Sequence, residues 1–128
     1  MKQIDLGSLP APVLDEVLKG ALLIDNPLYR ALGAALTDEL VRRSREQAGV
    51  SVAASVPWEP PFLPPGEALM NADMMGETVA AMARHRESIR DPIMRHAFEV
   101  SAGFLAQIET ALREQIAQTS AALARPAN

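Results

Sequence analysis

This sequence predicts an all-α, four-helix-bundle-like protein in which two helical hairpins are joined by an extended proline-rich crossover. Three observations lead there. Aromatic residues are 4 % of the chain although hydrophobic residues are 48 %, and alanine pairs such as Ala34-Ala35, Ala80-Ala81 and Ala121-Ala122 recur. Alanine is the strongest helix former, whereas strands draw on aromatic and β-branched residues. Apolar residues also return at spacings of three and four. Finally, prolines punctuate those runs and gather between Pro57 and Pro65.

Residues 1–11 read as an N-terminal arm and residues 12–48 as the first hairpin. Pro12 suits a helix start, because a first-turn N–H has no intrahelical acceptor to lose. Val13, Leu14, Val17, Leu18, Ala21 and Leu22 form one face ending near Ile24, with Gly20 a weak point. Asn26 and Pro27 serve as N-cap and first residue of a second helix. Its expected stripe is Leu28, Leu32, Ala35, Leu36 and Leu40. Asp38 with Arg42 and Glu39 with Arg43 are surface pairs worth roughly a few tenths of a kcal/mol each. Gly49 is the stop.

Residues 49–67 are the linker. Val50, Val52 and Val56 alternate loosely, which suits an extended segment or one short strand, and a lone strand cannot make a sheet. From Pro57 to Gly66 the prolines fix φ and bias their predecessors away from α, so the segment is polyproline-like with no helical interior. Residues 68–124 are the second hairpin. A third helix runs from about Ala68 to Arg90, with Met75, Val79, Met82 and Ile89 on one side. Asp91 caps the fourth, which starts at Pro92 and reaches about Ala124. Phe98, Leu105, Leu112 and Thr119 are spaced by sevens, a heptad-like seam broken by the polar Gln115 and Thr119.

The 128 residues suffice for a single domain with one core. The net charge of −4 is spread without long runs of one sign, so nothing draws the whole chain to nucleic acid or anionic lipid. The absence of cysteine excludes disulfides, thiol catalysis and Cys-ligated zinc. The run Ala21-Leu22-Leu23-Ile24 is too short to span a bilayer, and residues 1–10 lack the pattern of a secretory signal. A cytoplasmic protein is expected, or a virion-associated one if phage-encoded.

Chemistry-bearing residues do not assemble into a known motif. His85 and His96 flank Asp91-Pro92, with Glu77 and Glu99 near in sequence. The Glu-x-x-His spacing of bundle metal sites is nevertheless absent, so both read as rim histidines and no metal is expected. Arg84, His85, Arg86, Arg90, Arg95 and His96 form a basic cluster. Glu87 and Asp91 interrupt it and no aromatic interleaves with it, which fits a solvated helix surface better than a nucleic-acid face. Arg42, Arg43 and Arg45 are answered by Asp38, Glu39 and Glu46. There is no P-loop, no glycine-rich loop after a strand and no Gly-x-Ser-x-Gly elbow. A non-catalytic protein without cofactor is expected.

Interaction surfaces are the better prospect. Five of six methionines fall between Met70 and Met94. Met74 and Met75 point about 100° apart on a helix, so both cannot face one narrow stripe, and methionine is common on adaptable binding surfaces. Trp58, Phe62 and Leu63 sit on a stiff scaffold that either docks in a partner or straps across its own domain or a neighbouring subunit, burying Trp58 and Phe62. The fourth helix is the longest, about 45 Å at 1.5 Å per residue. Without a second chain its Leu105, Ile108, Leu112, Ile116 and Leu123 would be exposed. A homo-oligomer follows, most simply a two-fold dimer pairing fourth helices. The residues expected in protein contacts are therefore Trp58, Phe62, Leu63, Met70, Met74, Leu105, Ile108, Leu112, Ile116 and Leu123.

The arm Ile4-Asp5-Leu6-Gly7-Ser8-Leu9-Pro10-Ala11-Pro12 resembles the opening of phage baseplate J-type proteins. The resemblance covers these nine residues and implies a component encoded by a phage or other mobile element. It carries no site residue across. The leading functional expectation is a non-catalytic assembly or adaptor protein that binds itself and an unidentified protein through amphipathic helices. A regulatory inhibitor of a host complex, using an acidic helical surface, is the second. A small-ligand or metal-dependent bundle enzyme around His85 and His96 is held in reserve.

Overall fold

A proline stands in the first turn of every helix, where its missing N–H costs no hydrogen bond and its fixed φ is already helical. The computed structural model describes residues 3–124 and contains α1 (Ala11–Leu22), α2 (Pro27–Gln47), α3 (Pro65–Arg86) and α4 (Pro92–Ala124). The fold is all-α, with two helical hairpins and no strand among the described residues. One antiparallel bridge, Ile4 with Trp58, is the sole trace of β pairing there. The chain divides into two compact units, one of Gln3–Pro61 and the other running from Phe62.

The first unit holds α1 packed on α2. Val13, Leu14, Leu18 and Ala21 of α1 are buried, at the helical spacing of one face. On α2 the buried line is Leu28, Leu32, Leu36 and Glu39, with Gly33 beside it. Leu40, expected in that stripe, is exposed, because three steps of i+4 and i+3 lead to position 39 instead. The Asn26 side chain accepts the Tyr29 N–H at 3.0 Å, as an N-cap should. At the other end Gly49 adopts φ +82°. The Val50 N–H reaches the Arg45 carbonyl and the Gly49 N–H reaches that of Glu46, so a Schellman turn stops the helix.

The second unit is the α3–α4 hairpin. α3 begins at Pro65, three residues before the expected start: Pro64 stands at the N-cap position without a side-chain cap, its carbonyl accepts the Ala68 N–H, and Pro65-Gly66 fall in the first turn. It ends at Arg86, and a turn follows in which the Ser88 and Ile89 N–H groups bond to the carbonyls of His85 and Arg86. The Asp91 side chain then accepts the Ile93 N–H at 2.9 Å and starts α4. The buried face of α3 is mostly small: Ala68, Asn71, Ala72 and Met75. Facing it, α4 buries Phe104, Ile108, Ala111, Leu112 and Gln115. The seam thus runs through Phe104, Ile108 and Leu112, and Leu105 lies half-buried on its flank.

Candidate functional site

Three side chains organise the first unit around a buried carboxylate. Glu39 is only 4 % exposed. Arg42 binds it through Nε and Nη2 at 2.8–3.2 Å, Arg43 Nε donates to it at 3.2 Å and the Ser55 hydroxyl donates at 3.1 Å. Foremost the Arg42 hydrogen bonds, together with those from Arg43 and Ser55, hold the Glu39 pKa down to about 2 against the cost of burial. Arg42 is raised in turn by the same carboxylate. Arg43 Nη2 also donates to the carbonyls of Leu6, Gly7 and Leu9, at 2.7 Å for Leu9. The cluster therefore pins the N-terminal arm and the segment after α2 to one helix. Gly7 is required there, since a Cβ would lie 2.9 Å from the Ser55 Cβ.

Two expectations are corrected by this cluster. Glu39 and Arg43 do pair at i,i+4, but in the interior rather than on a solvated surface. Arg42 chooses Glu39 and Glu46 rather than Asp38. The signal was present in the sequence: position 39 continues the line 28, 32, 36, and two arginines follow it at three and four residues. The arrangement fastens the arm and Ser55 to α2. Its carboxylate is saturated by donors and held ionised, which leaves it a poor proton carrier near neutral pH.

The proline segment straps across its own chain. Ile4 and Trp58 exchange both backbone hydrogen bonds at 2.8 Å, and Trp58 is half-buried. Leu63 is buried at 4 %, and its N–H donates to the Gln115 side chain at 3.1 Å. Phe62 does not enter the core as expected; it is 61 % exposed. Adjacent residues of an extended chain point to opposite sides, so burying Leu63 turns Phe62 outward.

The α4 residues expected at a subunit seam mostly face inward. Ile108 and Leu112 are fully buried against α3, and Leu105 and Ile116 are half-buried. α3 runs antiparallel to α4 in a register that sets Asp73 beside Arg113 and Arg86 beside Glu99, so the middle of α3 lies along this part of α4. Of the five, Leu123 alone is well exposed, at 81 %. Met70 and Met74 lie one turn apart on the open face of α3, and both are exposed with Leu69.

Two apolar surfaces stand out beyond these. From Gly76 on α3 round to Gly103 on α4 no residue is fully buried, so the hairpin end is two helices without a core. His85 packs its ring on Phe98 at 5.4 Å, Arg86 pairs with Glu99 at 3.1 Å, and Arg95 donates to the Ile89 carbonyl. Ile93 is 81 % and Met94 56 % exposed beside them. The second surface is the α1–α2 corner. Leu22, Leu23 and Ile24 are exposed there, next to a hollow of about 610 Å³ bordered by Leu22, Ile24, Tyr29, Ala34 and Asp38. The sequence hinted at this corner, since the apolar run outlasts the buried face of α1.

Among the described residues no group of three or more His, Asp or Glu side chains is placed to hold a metal ion. No helix there is long and apolar enough to cross a membrane. The chain matches no known protein-family model, no curated protein and no solved structure.

Proposed function

We propose that this is a non-catalytic assembly or adaptor protein that engages another protein through the end of its α3–α4 hairpin. The observation that carries the reading is the coreless stretch from Gly76 to Gly103, which presents Ile93 and Met94 to solvent. Two paired helices with apolar flanks and no third element bury too little to stand as a core, and such surfaces are partner-binding faces. Polar chemistry elsewhere serves the fold: the Glu39 cluster and Gln115 are committed to fastening the arm and the strap. The baseplate-like arm belongs to this fastening too, because Ile4, Leu6 and Leu9 are buried. An assembly role in a phage or mobile element is the setting its resemblance implies.

Affinity capture from the cells that make the protein tests the reading, comparing wild type with Ile93→Asp/Met94→Asp. Both positions are exposed, so the variant should fold with unchanged helix content by circular dichroism. Proteins held by wild type and lost from the variant, a tagged second copy included, are the expected result. Identical captured sets from the two would refute a role for the hairpin end.

A further inference from the structure

A second hollow, of about 720 Å³, lies within the first unit between α2 and residues 50–58. The segment runs back along α2: the Val50 N–H bonds to the Arg45 carbonyl at 3.0 Å, and the Ser55 hydroxyl bonds to Glu39 at 3.1 Å. Val41, Val52 and Trp58 give the hollow its apolar lining. Two further features point to one kind of occupant. The main-chain groups of residues 51–56 make no hydrogen bond among the described residues, so the segment offers the donors and acceptors that a strand edge would. The charges on the α2 wall are the second feature. Glu39 is answered by Arg42 and Arg43, and Arg42 also holds Glu46, whereas Asp38 and Arg45 form no ion pair among the described residues. Both are exposed and border the hollow. Seven residues apart, they share one face of the helix and stand about 10.5 Å apart along its axis.

We infer that this hollow binds an extended peptide segment of another protein, laid antiparallel to residues 51–56, with a basic side chain at Asp38 and an acidic one four residues later at Arg45. Main-chain pairing supplies the affinity in this mode, and the charged side chains set the register. A small ligand of one charge would answer only one of the two groups and leave the main chain of the segment bare. The direction follows from the course of the segment. Its Val50 end lies at Arg45 and its Ser55 end at Glu39, next to Asp38, so an antiparallel peptide begins at Asp38 and finishes at Arg45. Side chains four residues apart share a face of an extended strand, and their Cα atoms stand about 13 Å apart. The flexible stems of lysine and arginine take up the difference from about 10.5 Å. The site uses no residue of the hairpin end, so it gives an adaptor a second binding surface.

Trp58 is the only tryptophan of the chain and lines the hollow, so its emission reports occupancy. The probes are two capped peptides of one composition and no net charge, titrated against the full chain: Ac-Ser-Lys-Val-Ala-Val-Glu-Ser-NH2 and its charge-exchanged form Ac-Ser-Glu-Val-Ala-Val-Lys-Ser-NH2. The first should change Trp58 emission saturably, with a Kd on the order of 0.1 mM, about tenfold tighter than the second. In its presence the amides of residues 51–56 should exchange more slowly. Asp38→Lys/Arg45→Glu exchanges the two wall charges at exposed positions, so circular dichroism should show wild-type helix content, and the preference between the peptides should invert. Where the double variant loses helix content, Asp38→Asn alone carries the test and should weaken the first peptide about tenfold. Silence toward both peptides at about 5 mM, equal binding of the two by wild type, or a preference that the wall charges do not move would each overturn the inference. None of these results bears on capture through Ile93 and Met94, so the hairpin reading stands or falls by its own experiment.

Discussion

The Gln115 side-chain oxygen accepts the Leu63 N–H at 3.1 Å, tying the strap to the middle of the α4 seam. Gln115 is 2 % exposed, and in a heptad pattern it reads as a flaw. In the folded chain it does what an apolar residue could not, since a buried backbone donor without an acceptor is costly. Gln115→Leu should therefore destabilise the protein by about 1–3 kcal/mol despite being more hydrophobic. Urea unfolding would measure the shift in midpoint, and the Leu63 amide should exchange faster than in wild type. Unchanged stability would mean that this hydrogen bond is dispensable.

Glu39 makes stability depend on acid. Its folded pKa is about 2 against an ordinary 4.5. A depressed carboxylate contributes stability that is complete above the unfolded pKa and is lost as pH falls from about 4.5 toward about 2. The contribution is on the order of 3 kcal/mol, reduced by solvent at the partly exposed Arg42 and Arg43. Glu39→Gln should lose about this much at neutral pH and flatten the acid limb of the stability profile. Thermal unfolding between pH 7 and pH 2.5, wild type beside variant, gives both readings. Equal acid slopes in the two proteins would remove Glu39 as the titrating group.

The helices were legible because their signals are local. Asn26-Pro27 and Asp91-Pro92 announce two helix starts, and both caps form. Gly49 announces one stop. What could not be read depends on residues far apart in sequence. Nothing in Pro64-Pro65 alone says that α3 starts there, and nothing local in α4 says that Ile108 and Leu112 are buried within the hairpin. Likewise Glu39 looks like one of many helix carboxylates until Ser55 and the arm are folded against it. Periodicity assigned Leu40 to the core and bulk assigned Phe62 to the strap's buried side, and in each case the neighbouring residue went in.

Two glycines should respond to alanine in opposite directions. Gly20 lies inside α1 with open space where a Cβ would go, so Gly20→Ala removes backbone freedom from the unfolded chain at no steric cost. A gain of about 0.5–1 kcal/mol is expected. Gly49 holds φ +82° at the end of α2, where a Cβ is strained although nothing crowds it. Gly49→Ala should lose about 1–2 kcal/mol. Chemical denaturation of the two variants in parallel separates the backbone effect from packing, because neither added methyl touches another side chain.

Hydrogen exchange should divide the second unit at Met75 and Phe104. On the inner side Ala72, Met75, Ile108 and Leu112 are buried and the α3–α4 contacts are closed. On the outer side, from Gly76 to Gly103, only half-buried residues such as Val79, Met82 and Phe98 join the helices. Local opening draws on the region with least buried apolar area, so the outer amides should exchange through openings of lower free energy than the inner ones. A helix pair without a core is also marginal in isolation, which makes the difference large. Phe98→Ala should speed exchange across the outer stretch, through loss of its contact with His85, and leave the amides around Ile108 unchanged. Uniform protection along α4 in dilute wild-type protein would instead show that the two-helix end is stable by itself. It would then have no need of a covering partner, and the exposure of Ile93 and Met94 would lose its functional meaning.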